Sequence, residues 1–476
     1  MDVGDEKIPV HSLFWYVFVL PVGFILYLMS MFDLKSLLIF VIVILGISPL
    51  ITGVLIKGAD ALAPSVLLPF TFMLYALGPL NVSSEFTNNV IVYYLSLQLL
   101  GLVAMRFGLH MATRRRHILK FYYVPYNQEP RMNFLLFSTA IGLLLLSSVS
   151  LATYFYAFGG LSGYIKVGYG GRFYLFTKER QVLGAGFEWG LLGSILLIFF
   201  GLKRRSKISL FIGGAIFLLL AFIILITGRR HQFLYPFLFG VALFHYGYKK
   251  ITFPVIAIGL LLGISIAQYY ALARYFLPGG LLYALSQVWP AVVRNPSLLV
   301  PWAANEFRMP AASLLEVLQY GGPGLLLGGS YVATLGAPIP FLGRLFNQVS
   351  FDVSAWRLRT LYPDLLAAGG GLGFSPVTEG YVNFGLIGVI LHLFLYGYVI
   401  GKIYARLSLR PTLSILLLFA GSLPVFMLNG MRIHSASFAY AWMRIYLMPW
   451  AIFWLVKTLT TRTSKRNVES KSQLRS

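Results

Sequence analysis

Apolar positions along this chain neither alternate nor keep to a single helical stripe. They come in runs of about 20 residues, separated by short polar or glycine-rich breaks. A run of that length crosses a hydrocarbon core of about 30 Å as a helix. Inside lipid every backbone N–H and C=O must be bonded within its own segment, so helices are predicted, not open strands. Barrel strands would show about 10 residues of strict alternation, which this chain lacks. Twelve spans are read, at 12–32, 36–56, 61–80, 89–110, 133–157, 187–202, 208–227, 233–246, 252–272, 382–402, 411–429 and 437–457. The predicted fold class is an all-α polytopic membrane protein. Residues 1–272 form a nine-span bundle with an outer loop at 158–186, residues 273–381 one large outer loop, 382–457 spans ten to twelve, and 458–476 a basic cytoplasmic tail.

Composition agrees with this pattern: of 476 residues, 58% are hydrophobic and only 11% charged. The formal net charge of +23 would suggest a nucleic-acid partner in a soluble protein. Its distribution points elsewhere. With the N-terminus inside, the clusters "RRRHILK" (114–120), "KRRSK" (203–207), "GYKK" (247–250) and "KIYARLSLR" (402–410) and the tail all fall on the cytoplasmic face. That face then holds 23 Lys and Arg with 6 Asp and Glu, against 15 with 9 outside, which is the positive-inside pattern. The basic residues meet anionic lipid headgroups, and no nucleic acid is expected. The acidic opening "MDVGDEK" is unlike the basic start of a cleavable signal peptide, so the first span is expected to stay. The absence of cysteine excludes a disulfide framework, a thiolate metal site and a cysteine nucleophile. No histidine and carboxylate set has metal-ligand spacing, and no cofactor is expected.

Candidate chemistry lies on the outer face. The large outer loop carries Arg274, Arg294, Arg308, Arg344, Arg357 and Arg359 and no lysine, and the smaller one adds Arg172 and Arg180, with Lys166 and Lys178. Outer basic residues run against the topology rule, and arginine's planar fork suits a pyrophosphate. Each arginine has an alternative in an acidic neighbour such as Glu306, Glu316, Asp352 or Asp364. The turn "TGRRHQ" (227–232) places Arg229, Arg230 and His231 before a short span, 233–246, of about 21 Å. It is expected to sit sunk below the outer surface as the floor of a pocket, or else to let its arginines snorkel to headgroups. Glu379, flanked by Tyr381 and Asn383 just outside span ten, is placed to accept a proton from a sugar hydroxyl, or simply to compensate a helix dipole. Arg432 and His434 lie on a last outer turn, with Arg444 inside the final span. The apolar stretch 321–343, broken by Gly and Pro, has the look of a re-entrant piece.

Together, "TGRRHQ", "GGSYVATLGAPIPFLGR" (328–344) and "SPVTEGYVNFGLIGVILHLFLYG" (375–397) on a polytopic chain with one large late outer loop resemble the bacterial oligosaccharide repeat-unit polymerases, the Wzy or O-antigen polymerase type. The resemblance implies a GT-C-like glycosyltransferase of the inner membrane, with its active site facing the periplasm. It implies undecaprenyl-pyrophosphate-linked oligosaccharides as donor and acceptor, a chain-length regulator as partner, and neither metal nor nucleotide. Carried onto this chain, it assigns pyrophosphate to Arg229, Arg230, Arg344, Arg357 and Arg359, with Arg172, Arg274, Arg308, Arg432, His434, Tyr381 and Asn383 as further substrate contacts. Glu379 or His231 would serve the acceptor hydroxyl. O-antigen ligases share the late loop and its arginines, and a flippase of lipid-linked sugar is the non-enzymatic alternative.

Overall fold

The computed structural model describes residues 33–55, 60–113, 130–166, 184–227, 230–273, 276, 281–299, 305–336, 351–367 and 371–473. Expected span one lies outside them. The described residues form helices and no strand. In chain order the first nine are α1 (Leu34–Leu55), α2 (Pro64–Leu77), α3 (Asn88–Thr113), α4 (Pro130–Tyr156), α5 (Leu161–Lys166), α6 (Gly186–Arg204), α7 (Lys207–Ile226), α8 (Arg230–Gly247) and α9 (Phe253–Ala273). The stretch read as a large loop is itself helical: α10 (Leu281–Arg294), α11 (Asn305–Tyr320), α12 (Gly329–Gly336), α13 (Val353–Leu361) and α14 (Pro363–Ala367). The chain closes with α15 (Pro376–Leu409), α16 (Leu413–Met427), α17 (Ser435–Tyr440), a π-helical turn Ala441–Tyr446, and α18 (Met448–Gln473).

Among the described residues, seven helices are long and apolar enough to cross a membrane. They lie within α1, α3, α4, α6, α7 and α15 and at Leu413–Met431. Their exposed faces are apolar: α7 presents Phe211, Leu218, Leu219 and Phe222, each at least 56% exposed. A soluble protein would not leave such a stripe uncovered, whereas lipid covers it without cost. The starts are set by short polar caps. Asp352, Ser375 and Thr412 each accept the backbone N–H three residues on, which bonds one otherwise unpaired donor of α13, α15 and α16.

Inside the bundle, small residues set how closely helices approach. A Cβ added to Gly108 of α3 would lie 2.1 Å from the Phe394 carbonyl oxygen, and one on Gly397 of α15 would lie 2.2 Å from that of Met105. The two backbones touch, as expected where lipid supplies no hydrophobic drive and contact area must. Buried polar groups are answered in the same economical way. Pro49 within α1 has no N–H, which frees the carbonyl of Leu45, and Arg106 of α3 donates to it at 2.9 Å.

One end of the bundle is tied by Asp60, which is 4% exposed. It accepts from Leu62 N at 3.0 Å, His245 Nε2 at 3.2 Å, and the hydroxyls of Tyr246 and Tyr404 at 2.6 Å each. The Ile251 N–H donates to His245 Nδ1, which leaves Nε2 as the protonated nitrogen. Thus α2, α8 and α15 meet on one carboxylate. At the other end the Thr87 N–H donates to Gln319, and Gln232 donates to the Gly184 carbonyl.

Three boundaries differ from the sequence reading. α8 begins at Arg230, so Arg230, His231 and Gln232 open the helix and do not precede it. The stretch read as span twelve is broken by the π-helical turn, and α18 runs on to Gln473 through the expected tail, because no Gly or Pro interrupts it after Pro449. α10, at 14 residues, is about 21 Å long and too short to cross. It buries Ala284, Val288 and Val292 against Ala273, while Leu282, Trp289 and Val293 are exposed on its other side, the pattern of a helix lying in the membrane interface.

Candidate functional site

The site gathers around the first two turns of α15, and its shape follows from a helix that breaks. Ser375 caps the helix, Pro376 occupies the first helical position with its φ already set, and Thr378 donates its N–H to Ser375 Oγ at 3.1 Å. Seven residues later the helix stops: Phe384 has φ −140° and Gly385 has φ 60°, ψ −141°, a conformation open in practice only to glycine. The chain then resumes as helix but folded back. A Cβ on Gly388 would lie 1.9 Å from the Gly380 carbonyl oxygen, although eight residues of straight helix would separate them by about 12 Å. The break releases the carbonyls of Val382 and Asn383, which accept the N–H groups of Leu326 and Leu327 at 2.9 and 3.2 Å.

Within this fold Glu379 is fully buried. Its Oε1 accepts from Ser330 Oγ at 2.8 Å, and its Oε2 accepts from the N–H and the hydroxyl of Ser435, both at 2.7 Å. Asn383, also fully buried, donates to Ser330 Oγ and to the Glu379 carbonyl at 2.7 Å each, while its Oδ1 accepts from Gly328 N at 3.1 Å. One carboxylate and one amide therefore join α15, the Gly-rich stretch before α12, and the start of α17. The expectation put Glu379 just outside a helix. It lies one turn inside one, and it reaches the surface through Ser435, which is half-buried. A second set, Ser313, Ser375 and Thr378, is linked at 2.7 to 3.2 Å and fixes α15 on α11.

The arginines part company. Arg357 is 1% exposed and forms a bidentate pair with Glu316, Nε to Oε2 and Nη2 to Oε1 at 2.6 Å each. Its Nη1 donates to the carbonyls of Met309 and Gly373. Four of its five donors are used. Tyr362 donates to the same Glu316 at 2.9 Å; burial, and then the Glu316 charge, push its phenol up to about 12. Arg357 was expected to meet pyrophosphate; here an acidic neighbour takes it, because both side chains are buried and neither charge is tolerated alone. Arg359 is exposed. Arg308 is half-buried on α11, and its Nε is buried with no acceptor among the described residues.

Tyr381 stands edge-on to Tyr93 of α3, at 6.2 Å between ring centroids, away from the Glu379 set. The carbonyl of Arg432 accepts from Phe374 N at 2.9 Å, which ties the turn before α17 to the start of α15. The His434 ring lies 3.3 Å from Ser437 Oγ, and the Arg444 guanidinium sits 5.0 Å over the Tyr440 ring. Arg172, Arg229, Arg274 and Arg344 lie outside the described residues, as do the side chains of Arg230 and His231.

Sequence reasoning passed over Ser330, Ser435 and Glu188. Glu188, in the first turn of α6, is 3% exposed and accepts from Gln232 at 3.3 Å, next in the chain to His231. Serines give no pattern by themselves, but "SPVTE" is a helix-start signature that places Glu379 in the helix, and it was there to be read.

Residues 348–463 match the family model described as O-antigen polysaccharide polymerase Wzy. The comparison with curated proteins and that with solved structures gave no match. The matched stretch contains α13 to α17, with Glu379, Asn383, Arg357, Arg432 and Ser435, while Glu316 and Ser330 precede it. Over those residues the chain is similar to the O-antigen polysaccharide polymerase Wzy family.

Proposed function

We propose that the chain polymerises lipid-linked oligosaccharide repeat units on the outer face of the bacterial inner membrane, moving the growing glycan from undecaprenyl pyrophosphate to the free end of a second lipid-linked unit. The family match over 348–463, which holds the buried Glu379 and its partner Ser435, carries this reading. In the reaction an acceptor hydroxyl oxygen bonds to the anomeric carbon of the donor, the bond from that carbon to pyrophosphate breaks, and the hydroxyl proton must leave. Glu379 receives it through Ser435. The acceptor hydroxyl hands its proton to Ser435 Oγ as the serine proton passes to the carboxylate 2.7 Å away. The departing pyrophosphate needs fixed positive charge. Arg432 and Arg308 supply it, together with Arg229, Arg230, Arg172, Arg274, Arg344, Arg359 and His434. Arg357 positions α13 against α11. The basic clusters assigned to the opposite face support an outward-facing site and cytoplasmic termini.

Deletion of the gene tests this reading. The surface glycan is expected to collapse to a single repeat unit and to be restored by the unaltered chain. Glu379→Gln is expected to leave single units while the protein inserts normally, with Ser435→Ala lowering chain length less severely. Polymer accumulating off its final acceptor would indicate a ligase, and units trapped inside would indicate a flippase.

A further inference from the structure

Between α2, α8, α9 and α16 lies an apolar cavity of about 320 Å³. It exists because α9 stands away from the bundle: Phe253 at its start lies against Gly53 of α1, and its far end packs on α10. The walls include Leu74, Leu238, Val255 and Pro424, and the polar groups on them are Thr71, Tyr75, Tyr235 and Arg432. The cavity runs lengthwise. Leu62 and Ile251 line it at the Asp60 end, and Phe307 and Arg432 line it at the Glu379 end. From Leu67 to Tyr75 along α2 its wall rises about 12 Å at helical spacing.

Two glycines mark the α9 side. A Cβ added to Gly259 or Gly263 would meet no atom within 4 Å, although both residues line the cavity one turn apart. Paired glycines in membrane helices ordinarily admit a neighbouring helix. Among the described residues no helix fills the space they leave, and Phe237 and Val255, 47% and 58% exposed, lie where the cavity opens sideways. The space suits a single slender apolar chain entering from lipid.

The geometry points to this cavity as the seat of the polyprenyl chain of the lipid carrier, with the carrier's phosphate at Arg432. The inference rests on the polymerase reading for the identity of the carrier. A two-chain phospholipid is a poorer occupant of one narrow slot, and the slot ends at the site. The Arg432 carbonyl accepts Phe374 N–H, and Ser435, three residues on, donates to Glu379. A phosphate held at Arg432 is thereby delivered beside the proton acceptor.

The test uses the full chain in nanodiscs and a polyprenyl phosphate carrying a diazirine on its head-proximal isoprene units. Cross-links are expected within 234–241 and 255–263. Gly259→Phe and Gly263→Phe should each cut labelling at least tenfold with unchanged melting, and Arg432→Ala should weaken labelling without moving it. Tenfold excess phosphatidylglycerol should not displace the probe. Displacement by that phospholipid, cross-links elsewhere, or full labelling of the filled variants would overturn the proposal. Should a filled variant melt early, the cross-link positions in the unaltered chain decide alone. Labelling is read without turnover. Cross-links in the cavity with glycan length unchanged on gene deletion would refute the polymerase reading and keep the cavity, and the converse pair of results would do the reverse.

Discussion

Arg357 and Arg359 sit two positions apart on α13, about 200° around the helix, so one faces α11 and the other solvent. Burial decides their roles. Removing one partner of a buried, hydrogen-bonded pair leaves an unmet charge and costs about 3–5 kcal/mol. Arg357→Ala is therefore expected to lower the melting temperature of the detergent-purified protein by several degrees, whereas Arg359→Ala leaves it unchanged. Replacing Arg357 and Glu316 together by methionine should recover most of the loss. A ligand-binding arginine would behave otherwise: activity would fall without a change in melting. Lysine at 357 should fail nearly as badly as alanine, since it cannot reproduce the planar fork. Glu316 was legible in the sequence as one of four acidic candidates. The choice among them depended on a contact across 41 residues, which no local pattern encodes.

At the scale of elements, the site is a consequence of the break in α15. Gly385 supplies the left-handed φ, and Gly380 and Gly388 allow the two halves to touch backbone to backbone. Gly388→Ala would push a methyl against the Gly380 carbonyl, where no flexible side chain is available to yield. The expected result is splayed halves, loss of the Ser330 and Ser435 bonds to Glu379, and loss of long glycan chains despite normal membrane insertion. Gly371→Ala serves as the control, because nothing lies within 4 Å of its added methyl. Chain-length ladders from complemented cells decide between them, and equal ladders would remove the break from the mechanism. The glycines stand plainly in "EGYVNFGLIG", and the sequence reading took this stretch as the mouth of a span. That the helix reverses there was hidden, because glycine permits a bend without dictating its direction.

For the whole molecule, the two ends differ in kind. One is locked by Asp60 and its ring of donors; the other holds Glu379, the Arg357 pair and the Arg432 end of the apolar cavity. If charge distribution orients the bundle as proposed, Asp364 lies outside and Lys249 inside, and both are exposed. The chain has no cysteine, so single replacements report without interference. In intact spheroplasts Asp364→Cys should react with a membrane-impermeant maleimide at once, and Lys249→Cys only after permeabilisation. The opposite order would invert the topology and move the site to the cytoplasm.

The sequence by itself determined that the chain is helical and lives in lipid, because unbroken apolar runs leave the backbone no other way to bond. It determined the resemblance to the polymerases and singled out the stretch around Glu379 as a candidate, since a carboxylate in such apolar surroundings stands out. The tertiary structure alone decided which charges are answered within the protein. Arg357 turned to Glu316, Glu379 gathered two serines from distant segments, and α9 stood apart to leave a slot that ends at Arg432. Those outcomes depend on which helix faces meet. In lipid the hydrophobic pattern does not specify which faces meet, and the close fit of small residues and paired polar groups does.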